Sequence, residues 1–191
     1  MKLRPQKTIQ RFNETKVVFS KDKQEHILNA ILIKSYMKAI DETVTLTAEE
    51  ERVLHDYLFS VEIWGHYELL FFSSCSPLLS VQLLTKYTRE MLRKSDFLQG
   101  VGKNRNMMHT LLLNAFMACI EVDDFTNALY FKKQIDKNFF EENETYFRIV
   151  YLWAEGLLDS KQGRVEDGQR KMEDAVRIFE MIGCSKSADY Y

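Results

Sequence analysis

Proline occurs only twice in 191 residues and glycine only seven times. With so few breakers, a fold of many short strands and tight turns is excluded, and long helices are expected. An excess of one charge is missing too. The net charge is −2, so no global field argues for nucleic acid. The three cysteines, Cys75, Cys119 and Cys184, are odd in number and far apart, with no CxxC or Cys/His spacing. That pattern excludes a disulfide framework and a zinc site, and suits reduced thiols in a cytoplasmic protein. The longest apolar run, near Leu69–Leu84, is interrupted by SSCSP and cannot span a bilayer. The opening MKLRPQKT lacks the apolar centre of a signal peptide, so the N-E-T sequons at Asn13 and Asn143 read as chance matches. Four histidines (His26, His55, His66, His109) show no HExxH spacing, no serine or cysteine sits in a nucleophile context, and Gly100-x-Gly102 is not followed by GK[ST]. No enzyme, cofactor, metal or membrane span is expected.

What is present is a globular composition, 46% hydrophobic and 28% charged. Residues 1–40 hold nine Lys/Arg against three Asp/Glu, and the remainder 17 against 25. We read 1–20 as a basic linker or tail and 21–191 as one helical-repeat domain. Apolar periodicity predicts a helix over 22–40. Thr47 heads TAEE, a capping-box pattern, and predicts a helix from Ala48 to about Glu62. Trp64-Gly65 marks a bend, and His66–Ser74 resumes as helix. Pro77 suits the first turn of a helix over Leu78–Lys94. Gln99–Gly102 reads as a loop. Further helices follow at Asn104–Glu121, Phe125–Phe140 (Ala128, Leu129, Phe131 and Ile135 inward), Thr145–Lys161 and Val165–Ile182. Gly163 and Gly183 act as terminators.

These helices pair: 64–74 with 78–94, 104–122 with 125–140, and 145–161 with 165–182. Asp123-Asp124-Phe125-x-x-Ala128 aligns with Gly163-Arg164-Val165-x-x-Gly168, where small residues permit close antiparallel packing. The expected fold is all-α, a right-handed solenoid of antiparallel, tetratricopeptide-like hairpins. First helices would line the concave wall. Asn104–Glu121 is apolar around most of its circumference and must be buried on several sides. One line escapes: Asn106, Thr110, Asn114, Met117 and Glu121, spaced by threes and fours.

The stretch Asp56-Tyr57-Leu58-Phe59-Ser60-Val61-Glu62-x-Trp64-Gly65-x-Tyr67-Glu68 resembles the C-terminal domain of the Rgg/GadR/MutR transcription regulators. So do Leu112-Leu113-Asn114-Ala115 and the run Ala154-Glu155-Gly156 … Gly163 … Gly168 … Met172. The resemblance covers nearly all of the chain beyond about residue 22. It implies a cytoplasmic homodimer from Gram-positive bacteria whose helical-repeat domain senses a short, hydrophobic peptide pheromone. It also implies an N-terminal helix-turn-helix that binds a promoter. None is read ahead of residue 20, and the chain is read as stopping before the family's last helix. By itself it is expected to make no direct nucleic acid contact.

The expected peptide-binding residues are Asn114, Arg148, Arg105, Asn106, Thr110, Tyr151, Glu155 and His66. Asparagine suits peptide capture because its amide accepts one backbone N–H and donates to one C=O. Arg148 or Arg105 could grip a carboxylate. The bland reading is that these are helix-face groups bonded within the fold. The Tyr57, Trp64, Tyr67 cluster and the last amphipathic helix offer apolar area for a dimer. A protein-interaction scaffold with no small ligand is the alternative function.

Overall fold

Thr47 illustrates how local chemistry starts a helix here. In the computed structural model its hydroxyl accepts the Glu50 amide at 3.3 Å, and the Glu50 carboxylate accepts the Thr47 amide at 2.7 Å. These are the two halves of the capping box. The structure describes residues 23–94, 102–138 and 140–191. The expected tail 1–20, and the expected loop at 99–102 up to residue 101, lie outside the described residues. Every regular element among the described residues is helical. The chain divides into two compact units, Met1–Ser80 and Val81–Tyr191.

In the first unit, α1 (Lys23–Lys38), α2 (Ala48–Ser60) and α3 (His66–Cys75) precede a 3-10 turn at Ser76–Leu78. Helix α1 packs on α2, α3 and that turn, around a core that includes Ile31, Leu54, Leu58, Leu69 and Phe72. Lys34 Nζ joins Glu50 at 2.6 Å and so ties α1 to the cap of α2. The bend at Trp64-Gly65 is present, with the Gly65 amide held by Glu68 at 3.1 Å. Trp64 packs against Phe72 and Tyr57 against Phe71, at ring-centroid distances of 5.6 and 5.3 Å. Of the expected aromatic cluster only Tyr67 is exposed. Pro77 does not open the next helix. It sits inside the 3-10 turn, Leu79 is extended, and helix resumes at Val81 rather than Leu78.

The second unit comprises α4 (Val81–Lys94), α5 (Gly102–Glu121), α6 (Phe125–Lys137), α7 (Thr145–Lys161), α8 (Val165–Met181) and the single turn α9 (Ser185–Ala188). The hairpins α5–α6 and α7–α8 form as expected, and α5 also packs on α4 and α7. The boundary after Ser80 divides the third expected pair. Helix α3 packs on α1 within its unit, and α4 on α5 within its own. On α6, Ala128, Phe131 and Ile135 are buried, but Leu129 is half exposed, because it lies off that three-four line.

One turn is used three times. After α5, α7 and α8 the chain passes through a left-handed residue: Asp123 (φ 59°), Gly163 (φ 89°) and Gly183 (φ 75°). The next amide then returns to the helix just ended. Asp124 N reaches Cys119 O at 2.8 Å, Arg164 N reaches Asp159 O at 2.9 Å, and Cys184 N reaches Phe179 O at 2.8 Å. This is Schellman closure. The aligned segments Asp123–Ala128 and Gly163–Gly168 are thus a conformational repeat, and Gly183–Ala188 adds a third copy that opens α9. At the α7–α8 crossing the backbones touch. A Cβ on Gly156 would lie 2.6 Å from the Gly168 carbonyl oxygen, and one on Gly168 would strike the Gly156 carbonyl oxygen and the Ser160 side chain.

Gly168→Ala should therefore lower unfolding free energy by about 1–3 kcal/mol in urea titration, the range for overpacking a close contact. Asp123→Gly should raise it by up to ~1 kcal/mol. It relieves a left-handed non-glycine residue and gives up only the exposed Lys161–Asp123 pair at 2.9 Å. An unchanged midpoint in the first variant would contradict the close crossing.

Candidate functional site

Helix α5 is enclosed by α4, α6 and α7. Met108, Leu111, Leu112, Leu113, Phe116, Cys119 and Ile120 are buried on it, each large one contributing about 1.5–3 kcal/mol. The polar line stays out of that enclosure, as its spacing requires. Asn106 and Glu121 are exposed, and Thr110, Asn114 and Met117 are half-buried. The Thr110 hydroxyl donates to the Asn106 carbonyl at 3.0 Å, within its own helix. The side-chain amides of Asn106 and Asn114 make no hydrogen bond among the described residues.

Beside this line the polar groups are committed. Arg105 closes its fork on Glu144 at 2.8 and 3.1 Å, with both side chains nearly buried at 11% and 10% exposure. Glu144 also accepts the Glu141 amide at 2.6 Å, and His109 Nε2 lies 3.3 Å from it. Burial alone would raise the Glu144 carboxyl. The Arg105 fork, the Glu141 amide and the neighbouring charges hold it below the usual range instead. His109 is buried, edge-on to Phe140 with ring centroids 4.6 Å apart. Burial pushes its imidazole down to about 4, against the pull of Glu144 and helped by Arg105. It is neutral near pH 7. Arg148 donates to the carbonyls of Phe140 at 2.7 Å and Glu141 at 3.0 Å. The segment between α6 and α7 is thus pinned from both α5 and α7.

The line along α7 is also bonded internally. Tyr151, buried, donates to Asp136 at 2.6 Å and accepts from Lys132 at 2.9 Å. Burial, then the Asp136 bond and the charges of Glu155 and Asp136, raise its phenol. Glu155 pairs with Lys132 at 2.5 Å, and Asp159 with Lys171 at 2.7 Å and Arg164 at 2.5 Å. His66 stands exposed at the start of α3, in the first unit. The structure therefore separates the expected residues by chemistry. Asn106, Thr110 and Asn114 present a polar line, while Arg105, Arg148, Tyr151 and Glu155 are held by the fold. Sequence reading missed Glu144, Lys132 and Asp136 as partners. The one available signal was His109, placed four residues after Arg105 on an apolar helix. Among the described residues there is no group of three or more His, Cys, Asp or Glu able to hold a metal, and no helix long and apolar enough to cross a membrane.

Comparison with known proteins bears on this geometry. The family model for the C-terminal domain of the HTH-type transcriptional regulator Rgg matches residues 12–191. The crystal structure of the Streptococcus dysgalactiae SHP pheromone receptor Rgg2 is 27% identical, with a TM-score of 0.80, over 97% of this chain and 73% of that one. A cysteine-to-serine form of the same receptor is 26% identical, with a TM-score of 0.80, over 97% and 70%. A transcriptional regulator from Listeria monocytogenes EGD-e shares the fold at 17% identity, with a TM-score of 0.74, over 97% and 64%.

The neutral, buried state of His109 makes stability depend on acid. Its folded value, about 4, lies below the ordinary 6.5, so the unfolded chain binds this proton first. Stability falls as pH drops from about 6.5 toward 4. The wild-type chain should lose about 2 kcal/mol between pH 7 and pH 5 from this group, and His109→Gln should lack that loss. Equal slopes in chemical denaturation of both proteins across that interval would contradict the assignment.

Proposed function

The chain belongs to the family of Rgg C-terminal domains, and we propose that it is the peptide-pheromone-sensing, regulatory domain of a bacterial transcription regulator. Its ligand is a short hydrophobic peptide, lying on the wall that carries Asn106, Thr110 and Asn114. Support comes from the related Streptococcus dysgalactiae protein, which is an SHP pheromone receptor. The carrying observation is the pair of uncommitted amides on a helix otherwise enclosed.

The spacing of that line suits an extended peptide. Residues four apart on a helix are separated by about 6 Å along the axis, and every second residue of an extended chain by about 6.7 Å. Asn106, Thr110 and Asn114 can thus address alternate peptide units with little drift. Half-buried Met107, Met117 and Leu152 offer adaptable apolar surface to the side chains between. In this reading Arg105, Arg148, Tyr151 and Glu155 act by holding α5, α6 and α7 in place. Binding biases a homodimer, and DNA is reached only through a helix-turn-helix domain, not through this domain. The protein works in the cytoplasm, without cofactor or catalysis. A micromolar peptide supplies about −8 kcal/mol, of which only the preference between two dimer states drives regulation.

Calorimetric titration with a panel of short hydrophobic peptides that includes the SHP pheromone tests this. Asn114→Ala should weaken binding about tenfold, as expected for losing an accepted and a donated hydrogen bond. Unchanged affinity removes the α5 line from the site, and no binding by any member of the panel overturns the pheromone reading.

A further inference from the structure

The polar line of α5 ends in a charge. Glu121 is exposed at the last helical position, in register with Asn106, Thr110 and Asn114. Its carboxylate makes no ion pair among the described residues. Lys161 reaches the Glu121 carbonyl at 3.5 Å but gives its ion pair to Asp123 at 2.9 Å. The C-terminal carbonyls of a helix add roughly half a negative charge at the same end. Lys132 neutralises Glu155, and Lys171 with Arg164 neutralise Asp159. At the opposite end of the line, among the described side chains, Arg105 and Arg148 are occupied. Arg105 is closed on Glu144 and Arg148 on two backbone carbonyls.

We infer that this site reads the amino terminus of its peptide and not the carboxyl terminus: the free ammonium group sits at Glu121, and the peptide runs antiparallel to α5. The inference rests on the receptor reading given above, and it goes further in fixing the direction of the ligand and the terminus that must be free. An exposed pair of this kind, added to a helix terminus, changes affinity by about threefold to tenfold at low salt.

The test uses three synthetic forms of the SHP pheromone: with both termini free, N-acetylated, and C-amidated. Each is titrated into the wild-type chain and into Glu121→Gln at low and at high salt. N-acetylation should weaken binding to the wild type threefold to tenfold and leave binding to Glu121→Gln unchanged. C-amidation should change neither, and the acetylation effect should shrink at high salt. Tight binding of the acetylated form to the wild type, or an acetylation penalty equal in both proteins, overturns the inference and leaves the receptor reading standing. A penalty from C-amidation alone reverses the direction and also overturns it. Failure of the unmodified peptide to bind the wild type, with no other member of the panel binding, would instead bring down the receptor reading.

Discussion

The enclosure of α5 is the constraint on which the second unit depends. A helix carrying Leu111, Leu112, Leu113, Phe116 and Ile120 on successive faces cannot be covered by one neighbour, and three helices surround it. Three neighbours leave one line open. The amides of Asn106 and Asn114 fall on that line, where water or a ligand can meet them. At a buried position either amide would cost the fold a few kcal/mol unless it were paired. The open line is thus what remains of α5 after the core has been made.

Enclosure also decides what happens to the charges. Arg105 and His109 lie one residue away from Asn106 and Thr110, on the row that turns inward. The cation there is satisfied by Glu144, and the imidazole stays neutral. The result is a polar wall that is uncharged from Asn106 to Asn114, bordered by ion pairs that hold neighbouring segments together. Such a wall favours main-chain amide partners and apolar side chains over highly charged ligands.

Much of this was legible in the sequence because it was local. The TAEE cap, the bend at Trp64-Gly65, the bounds of α7 and the open line of α5 each follow from residues within a few turns of one another. What was not legible depended on distance. Glu144 lies 39 residues from Arg105, and no periodicity announces that the fork of one will close on the other. Arg148 looked like a carboxylate grip because its backbone acceptors, the Phe140 and Glu141 carbonyls, have no sequence signature. Helix α4 begins later than Pro77 suggests, because Leu79 is extended and helix resumes only at Val81. Leu129 was misplaced because adjacent apolar residues on α6 cannot both face the core. The single turn α9 is too short to leave a periodic trace.

The thrice-used left-handed turn has a consequence for how the second unit assembles. Because each copy joins two helices through a handful of residues, the α7–α8 contact closes with almost no loop entropy to overcome. Its two glycines let the backbones meet without waiting for side chains from elsewhere. Such low contact order suits rapid nucleation at α7–α8, after which α5 can dock onto a formed surface. The α7–α8 hairpin thus needs nothing outside its own residues to close, and the packing of α5 on α7 is the longer-range step.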